Sequence, residues 1–167
     1  MKEIVFEKSF ASHPKSKHWS NKNKKNCDKY YKSSNEKCWF NCNQCPHEFL
    51  KQLNDISSGY WCPYCSQPPK KLCENDDCLE CFNKSFASDP KSQFWSNKNK
   101  LNPRQVFKSS GKKFILQCNI CTHEFESQLD SILKGSWCSY CNNKKLCKKD
   151  CIECFNKSFA SHNKSRF

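Results

Sequence analysis

A chain of 167 residues with 36% apolar content and sixteen cysteines cannot rely on a hydrophobic core alone, because small modules bury too little apolar surface to offset chain entropy. Its formal charge of +13 favours an acidic partner such as nucleic acid. No stretch approaches the ~18 consecutive apolar residues of a membrane span, and the opening MKEIVFEKSF lacks the apolar run of a secretory signal. A non-secreted, intracellular and reducing setting is therefore expected, where close cysteine pairs bind metal rather than form disulfides.

In chain order, the first informative stretch is Lys8–Lys24 (KSFASHPKSKHWSNKNK), which returns as Lys84–Lys100 with 14 of 17 positions identical. Asp89 followed by Pro90 reads as a helix cap with proline at the first helical position, and Ser12-His13-Pro14 is a weaker version. A short helix is expected to end near Trp19 and again near Trp95, each followed by a Lys/Asn-rich loop. Next, the alternation of Cys38, Phe40 and Cys42, matched by Phe114, Leu116 and Cys118, predicts hairpin strands with one buried face. The stretches His47–Ile56 and His123–Ile132 fit either a strand or a helix, and turns follow at Gly59 and Gly135. Connectors then carry cysteine triplets, Cys73, Cys78 and Cys81 in one copy and Cys147, Cys151 and Cys154 in the other. The last pair of each triplet runs into C-F-N-K-S-F-A-S and is expected to feed a helix. A third copy of the leading motif starts at Lys157. The domains expected are residues 1–72, residues 73–146 and a partial repeat over 147–167. The fold class is small zinc-stabilised α+β modules in tandem, each a β-hairpin zinc ribbon of treble-clef type with short helices and a minimal core.

The metal pattern is the strongest signal. Cys42-x-x-Cys45 is followed by Cys62-x-x-Cys65, and Cys118-x-x-Cys121 by Cys138-x-x-Cys141 at an offset of 76 residues. Paired C-x-x-C knuckles at this separation suit tetrahedral zinc, and four thiolates leave no open position, so such sites are structural. Each triplet needs a fourth ligand. His47 and His123 are candidates because both complete units carry them. The residue eight after the last cysteine, Asp89 or His162, is the alternative, although Asp89 also suits capping. Two zinc ions are expected, and up to four if both triplets bind. Cys27 and Cys38 correspond to Pro103 and Phe114 and are excluded as ligands. With four sites filled, thiolate charge lowers the net charge to about +7.

Trp19, Trp61, Trp95 and Trp137 occupy matching places and are expected in the core. Trp19 with Lys22 and Lys24, and Trp95 with Lys98 and Lys100, also form candidate nucleic-acid contacts, the rings offering stacking platforms. Of the 29 basic residues, 27 are lysine. Lysine acts as a point charge on phosphate, so any nucleic-acid contact should be mostly to backbone.

The run C-W-F-N-C-N-Q-C-P-H-E-F, continuing through Gly59-Tyr60-Trp61 to C-P-Y-C, resembles the "probable zinc-ribbon" repeat family, and the connectors look like those of tandem proteins of giant DNA viruses. Pro46 and Thr122 replace the family's usual glycine, Phe49 and Phe125 its tryptophan, and Ser139 the proline of the second C-P-Y-C. The ligand positions are unaffected. The resemblance implies a zinc-binding module, sometimes beside nuclease domains and associated with DNA binding. It also implies residence in host cytoplasm, nucleus or virion. The leading expectation is a non-enzymatic nucleic-acid-binding protein, DNA or RNA, with no membrane partner. A structural or protein–protein interaction module, for example virion-associated, is the alternative. A nuclease accessory is the third, and catalysis would require a metal with an open position and a histidine base such as His47 or His123.

Overall fold

Each unit is organised around a two-stranded antiparallel hairpin. In the first, β1 (Lys37–Asn41) pairs with β2 (Glu48–Gln52), placing Phe40 opposite Phe49. In the second, β3 (Lys113–Gln117) pairs with β4 (Glu124–Gln128), placing Leu116 opposite Phe125. The computed structural model describes residues 4–121, 123–147 and 151–162. The chain divides into two compact units, Met1–Lys71 and Leu72–Phe167. The segment expected as a separate partial repeat from residue 147 thus belongs with the second unit. The reason is local: Cys151 and Cys154 gather around His123 of that unit's hairpin.

The stretch open to either reading is both. β2 runs directly into α1 (Leu53–Ser57), and β4 into α3 (Leu129–Leu133). Phe49, Leu53 and Ile56 are all buried, as are Phe125, Leu129 and Ile132. The chain switches from strand to helix while keeping one apolar face on the core. Gly59 and Gly135 end these helices at φ +91°, a left-handed conformation that favours glycine.

The expected helix before each tryptophan is a 3-10 helix, Pro14–His18 and Pro90–Phe94, ending at Trp19 and Trp95. Asp89 Oδ1 accepts from Lys91 N at 2.8 Å and His13 Nδ1 from Lys15 N at 3.1 Å, so both caps are made by the side chain before the proline. Ahead of each lies a turn, Phe10–Ser12 or Phe86–Ser88, whose phenylalanine is fully buried. The connector pairs feed helices as expected: α2 (Leu79–Lys84) after Cys78, and α4 (Ile152–Lys157) after Cys151. Among the described residues no helix is long and apolar enough to cross a membrane.

The S-N-K-N segment has a structural explanation that its composition did not suggest. Asn23 Oδ1 accepts from Trp39 N and its Nδ2 donates to Trp39 O, both at 2.8 Å. Asn99 makes the same pair with Ile115, at 3.0 and 2.7 Å. One amide side chain thus acts as a short extra strand, satisfying backbone groups on the open edge of the hairpin. The preceding serine, Ser20 or Ser96, donates to Glu48 or Glu124 of the opposite strand. Lys22 and Lys98 close each arrangement by pairing with the same carboxylates. The Lys22 hydrogen bond and that of Ser20 hold the Glu48 carboxyl below its usual range. A depressed folded-state pKa adds stability above the ordinary carboxylate range and loses it as pH falls through the folded value. Glu48→Gln is expected to cost about 1 kcal/mol at neutral pH, the pair being partly screened by solvent. Urea titrations of both proteins across acidic pH should show the difference shrinking to nothing.

Candidate metal centres

The hairpin places the first knuckle and the turn after α1 places the second. Cys42 N donates to His47 O, and Cys118 N to His123 O, both at 2.9 Å, which closes the first knuckle as a tight loop. Gln44 N and Ile120 N each point at the first cysteine sulfur from 3.4 Å. The tryptophan before the second knuckle ties the two halves together. Trp61 Nε1 donates to Asn43 Oδ1 at 3.1 Å, and Trp137 Nε1 to Asn119 Oδ1 at 3.2 Å. Nothing in the cysteine spacing announced this bond; the asparagine after the first cysteine, repeated in both units, was its only sequence trace.

The sulfurs test directly for zinc. Cys42 and Cys65 Sγ lie 3.6 Å apart, as do Cys45 and Cys62. In the second unit Cys118–Cys141 and Cys121–Cys138 are both 3.5 Å. A tetrahedron of sulfurs around zinc at ~2.3 Å has edges of about 3.8 Å, whereas a disulfide needs about 2.05 Å. The four sulfurs therefore fit one ion and no bridge. Their acidity agrees. Burial, with the neighbouring Cys42 thiol, pushes the Cys65 thiol up to about 12, and burial lifts Cys138 to about 11. At Cys118 burial is outweighed by the N–H groups of Cys121 and Ile120, which bring it down to about 7. Thiols that resist ionising together become thiolates when a dication shares their charge.

The second triplet has its fourth ligand. His123 Nε2 lies 3.4 Å from Cys151 Sγ and 3.5 Å from Cys154 Sγ, and with Cys147 these four donor atoms are mutually within 4.8 Å. Tetrahedral zinc with one imidazole and thiolates has N···S edges of about 3.6 Å. Tyr140 stacks on the imidazole at 4.5 Å between centroids and sets its plane. Lys157 on α4 donates to Tyr140 O at 3.1 Å, holding the helix against the second knuckle. His162 is exposed and stacks on Phe159 instead. In the first triplet, Cys73 N donates to Cys81 Sγ at 3.3 Å, and burial lifts the Cys81 thiol to about 11. Asp89 serves as the cap described above. His47 Nδ1 sits 3.2 Å from Cys45 Sγ, and its ring stacks on Tyr64 at 4.2 Å, the counterpart of the His123–Tyr140 pair.

His123→Ala is expected to lower bound zinc by one ion per chain while both four-cysteine sites stay filled. His47→Ala should do the same by its place in the repeat, and His162→Ala should lose none. Metal analysis of the three purified variants checks this. Cys38 is buried beside Phe40, with its thiol lifted to about 11 chiefly by burial, and Cys27 packs beside the same core. Neither joins a metal set among the described residues.

The tryptophans expected as stacking platforms are partly buried and pack against the cores. Trp19 meets Phe40 edge-on at 5.4 Å and lies 5.7 Å from Phe10, while its Nε1 donates to Lys25 O at 3.2 Å. Trp95 lies 4.9 Å from Phe114 and 5.5 Å from Phe86, with Nε1 donating to Leu101 O at 2.9 Å. Of their lysine neighbours, Lys22 and Lys98 are engaged with glutamates, while Lys24 and Lys100 are exposed.

Comparison with known proteins agrees with this geometry. Residues 92–144 match the family described as "Probable Treble clef zinc finger domain". An uncharacterized protein of Acanthamoeba polyphaga mimivirus is 39% identical over 165 residues, covering 95% of this chain and 40% of that relative's length. Residues 92–144 are thus similar to the probable treble clef zinc finger family, residues 16–68 are their counterpart in the 76-residue repeat, and the clustered thiols and imidazoles make the chain a zinc-binding protein of tandem modules.

Proposed function

We propose that the chain is a non-enzymatic nucleic-acid-binding protein whose zinc sites hold lysine-bearing loops in place. The supporting observation is the distribution of lysines. Lys24, Lys25 and Lys100 are exposed, and no carboxylate among the described residues pairs with them, unlike Lys22 and Lys98 in the same loops. An unpaired ammonium on a zinc-stapled loop is suited to phosphate, whose condensed counterions it releases. Tyr60, 58% exposed with Lys51 and Lys70 at 5.5 and 5.7 Å from its ring, offers a better stacking surface than the partly buried tryptophans. Both four-cysteine sets and the His123 set supply four protein ligands each, which supports a structural role for the metal. A reducing compartment of an infected host cell, or the virion, suits a thiolate-rich protein with a viral relative.

The test is fluorescence anisotropy of zinc-loaded protein with duplex DNA, single-stranded DNA and RNA across a salt series. Affinity falling with salt, by about 0.9 log units per log of salt for each phosphate neutralised on duplex DNA, supports the reading. Lys24→Ala with Lys100→Ala should flatten that slope. Absence of binding at low salt would overturn it and favour a protein-interaction module, to which the exposed Leu79, Ile152, Phe155 and Phe159 would then be relevant.

A further inference from the structure

Arg104 is one of two arginines among 29 basic residues, and the other, Arg166, lies outside the described residues. It sits on a 3-10 turn, Pro103–Gln105, pinned by a reciprocal cap. Asn102 Oδ1 accepts from Gln105 N at 3.2 Å, and Gln105 Oε1 accepts from Asn102 N at 3.0 Å. From that fixed base, Nη2 donates to Asn75 O at 2.7 Å and to Cys73 Sγ at 3.6 Å. Asn75 O also accepts from Cys78 N at 3.2 Å, so it is the carbonyl that closes the knuckle between two cysteines of the first triplet. Nε and Nη1 are enclosed without an acceptor, and no carboxylate pairs with the guanidinium among the described residues. Burying donors and charge in this way is costly unless a negative group lies at hand. The group at hand is the thiol cluster.

The internal repeat supplies an independent observation. Seventy-six residues earlier, Asp28 stands in place of Arg104, and Val5 in place of Cys81. The first unit thus has no cysteine where Cys81 would fall, and there the arginine position carries the opposite charge, paired with Lys29 at 2.9 Å. The guanidinium is present beside the Cys73, Cys78 and Cys81 triplet and is replaced by a carboxylate in the first unit, where valine stands at the Cys81 position.

We propose that Arg104 is a positioning residue for the zinc centre of Cys73, Cys78 and Cys81: it holds the Cys73 thiolate and the Asn75 carbonyl together and neutralises the centre. Three thiolates on a zinc dication leave a net charge of −1, which one guanidinium cancels. Both contacts come from one nitrogen, Nη2, held in the plane of a rigid guanidinium, whereas a lysine ammonium on its flexible stem would not be fixed in that place. Hydrogen bonding to a thiolate also withdraws charge from the sulfur and protects it from electrophiles and from protons.

The test uses the full zinc-loaded chain and follows zinc release to a chromogenic chelator, with total metal counted beforehand. Arg104→Ala is expected to release one zinc per chain about 10- to 100-fold faster than the wild type, the range for loss of a group that orients a ligand. Arg104→Lys should fall between the two. In a Cys73→Ser background, where that centre is already broken, Arg104→Ala should change nothing. If Arg104→Ala leaves the module unfolded, Arg104→Lys carries the comparison. Wild-type release from Arg104→Lys would then overturn the proposal. So would wild-type release from a folded Arg104→Ala, or an equal acceleration in the Cys73→Ser background, which would mean that Arg104 only supports the fold.

Discussion

Removal of zinc is expected to unfold both hairpin modules outright rather than loosen them. The cores explain why. Each holds a few large buried side chains: Phe10, Phe40, Phe49, Leu53 and Ile56 in the first unit, and Phe86, Phe114, Leu116, Phe125, Leu129 and Ile132 in the second. At about 1.5–3 kcal/mol for each fully buried side chain, such a core is of the same order as the ~10–16 kcal/mol that a structural zinc contributes. Chain entropy consumes most of the apolar gain, so the margin of stability rests with the metal. Cys62 and Cys138 are themselves within the cores, at 1% and 0% exposure. Losing the ion would leave four clustered thiols against the packing, one of them buried in the first unit and three in the second. Treatment with a strong chelator should abolish near-ultraviolet circular dichroism, and Cys138→Ser should do so for the second unit's signal alone. A chelated protein that keeps its tertiary signal would refute the idea that zinc replaces the missing core.

The second large effect is centred on Phe40. Its ring is fully buried and lies within 5.4–5.9 Å of Phe10, Trp19, Phe49 and Trp61, three of the four contacts near edge-on. Phe40→Ala is expected to cost about 3–5 kcal/mol, because the surrounding aromatics are rigid and cannot collapse into the space. Phe40→Leu should cost far less, since Leu116 occupies the same position opposite Phe125 in the second unit. Urea denaturation followed by tryptophan fluorescence, with zinc in excess, distinguishes the two. Equal costs for the alanine and leucine variants would mean that filling the space is not enough and that the aromatic ring itself is required.

These expectations divide by the range of the interactions behind them. The four-cysteine sets were readable from spacing because each knuckle is a local loop, and two knuckles at a fixed separation encode a tetrahedron without knowledge of the rest of the chain. The hairpin strands were readable for a similar reason, since the recurrence of Cys38, Phe40 and Cys42 at every second position is a short-range pattern. The stretch from Glu48 to Ser57 was not. Its apolar residues satisfy both periods, and the choice of a strand followed by a helix depends on where β1 begins, Lys37 being the partner of Gln52 at the end of β2. The Lys/Asn-rich loop gave a misleading impression of free surface. Asn23 and Asn99 are engaged because a strand edge sixteen residues later needs donors and acceptors.

By itself, then, the sequence determined that the chain is a tandem repeat, that zinc holds it, and which eight cysteines form the closed sites, because ligand identity and local spacing suffice for these. Only the tertiary structure decided that His123 rather than His162 meets the second triplet, that Trp19 and Trp95 pack half-buried against the cores, and that Arg104 reaches Cys73. Each of these depends on which side chains converge across more than about ten residues of chain. Spacing carries no information about that convergence until the hairpin and its packed helix exist to bring the groups together.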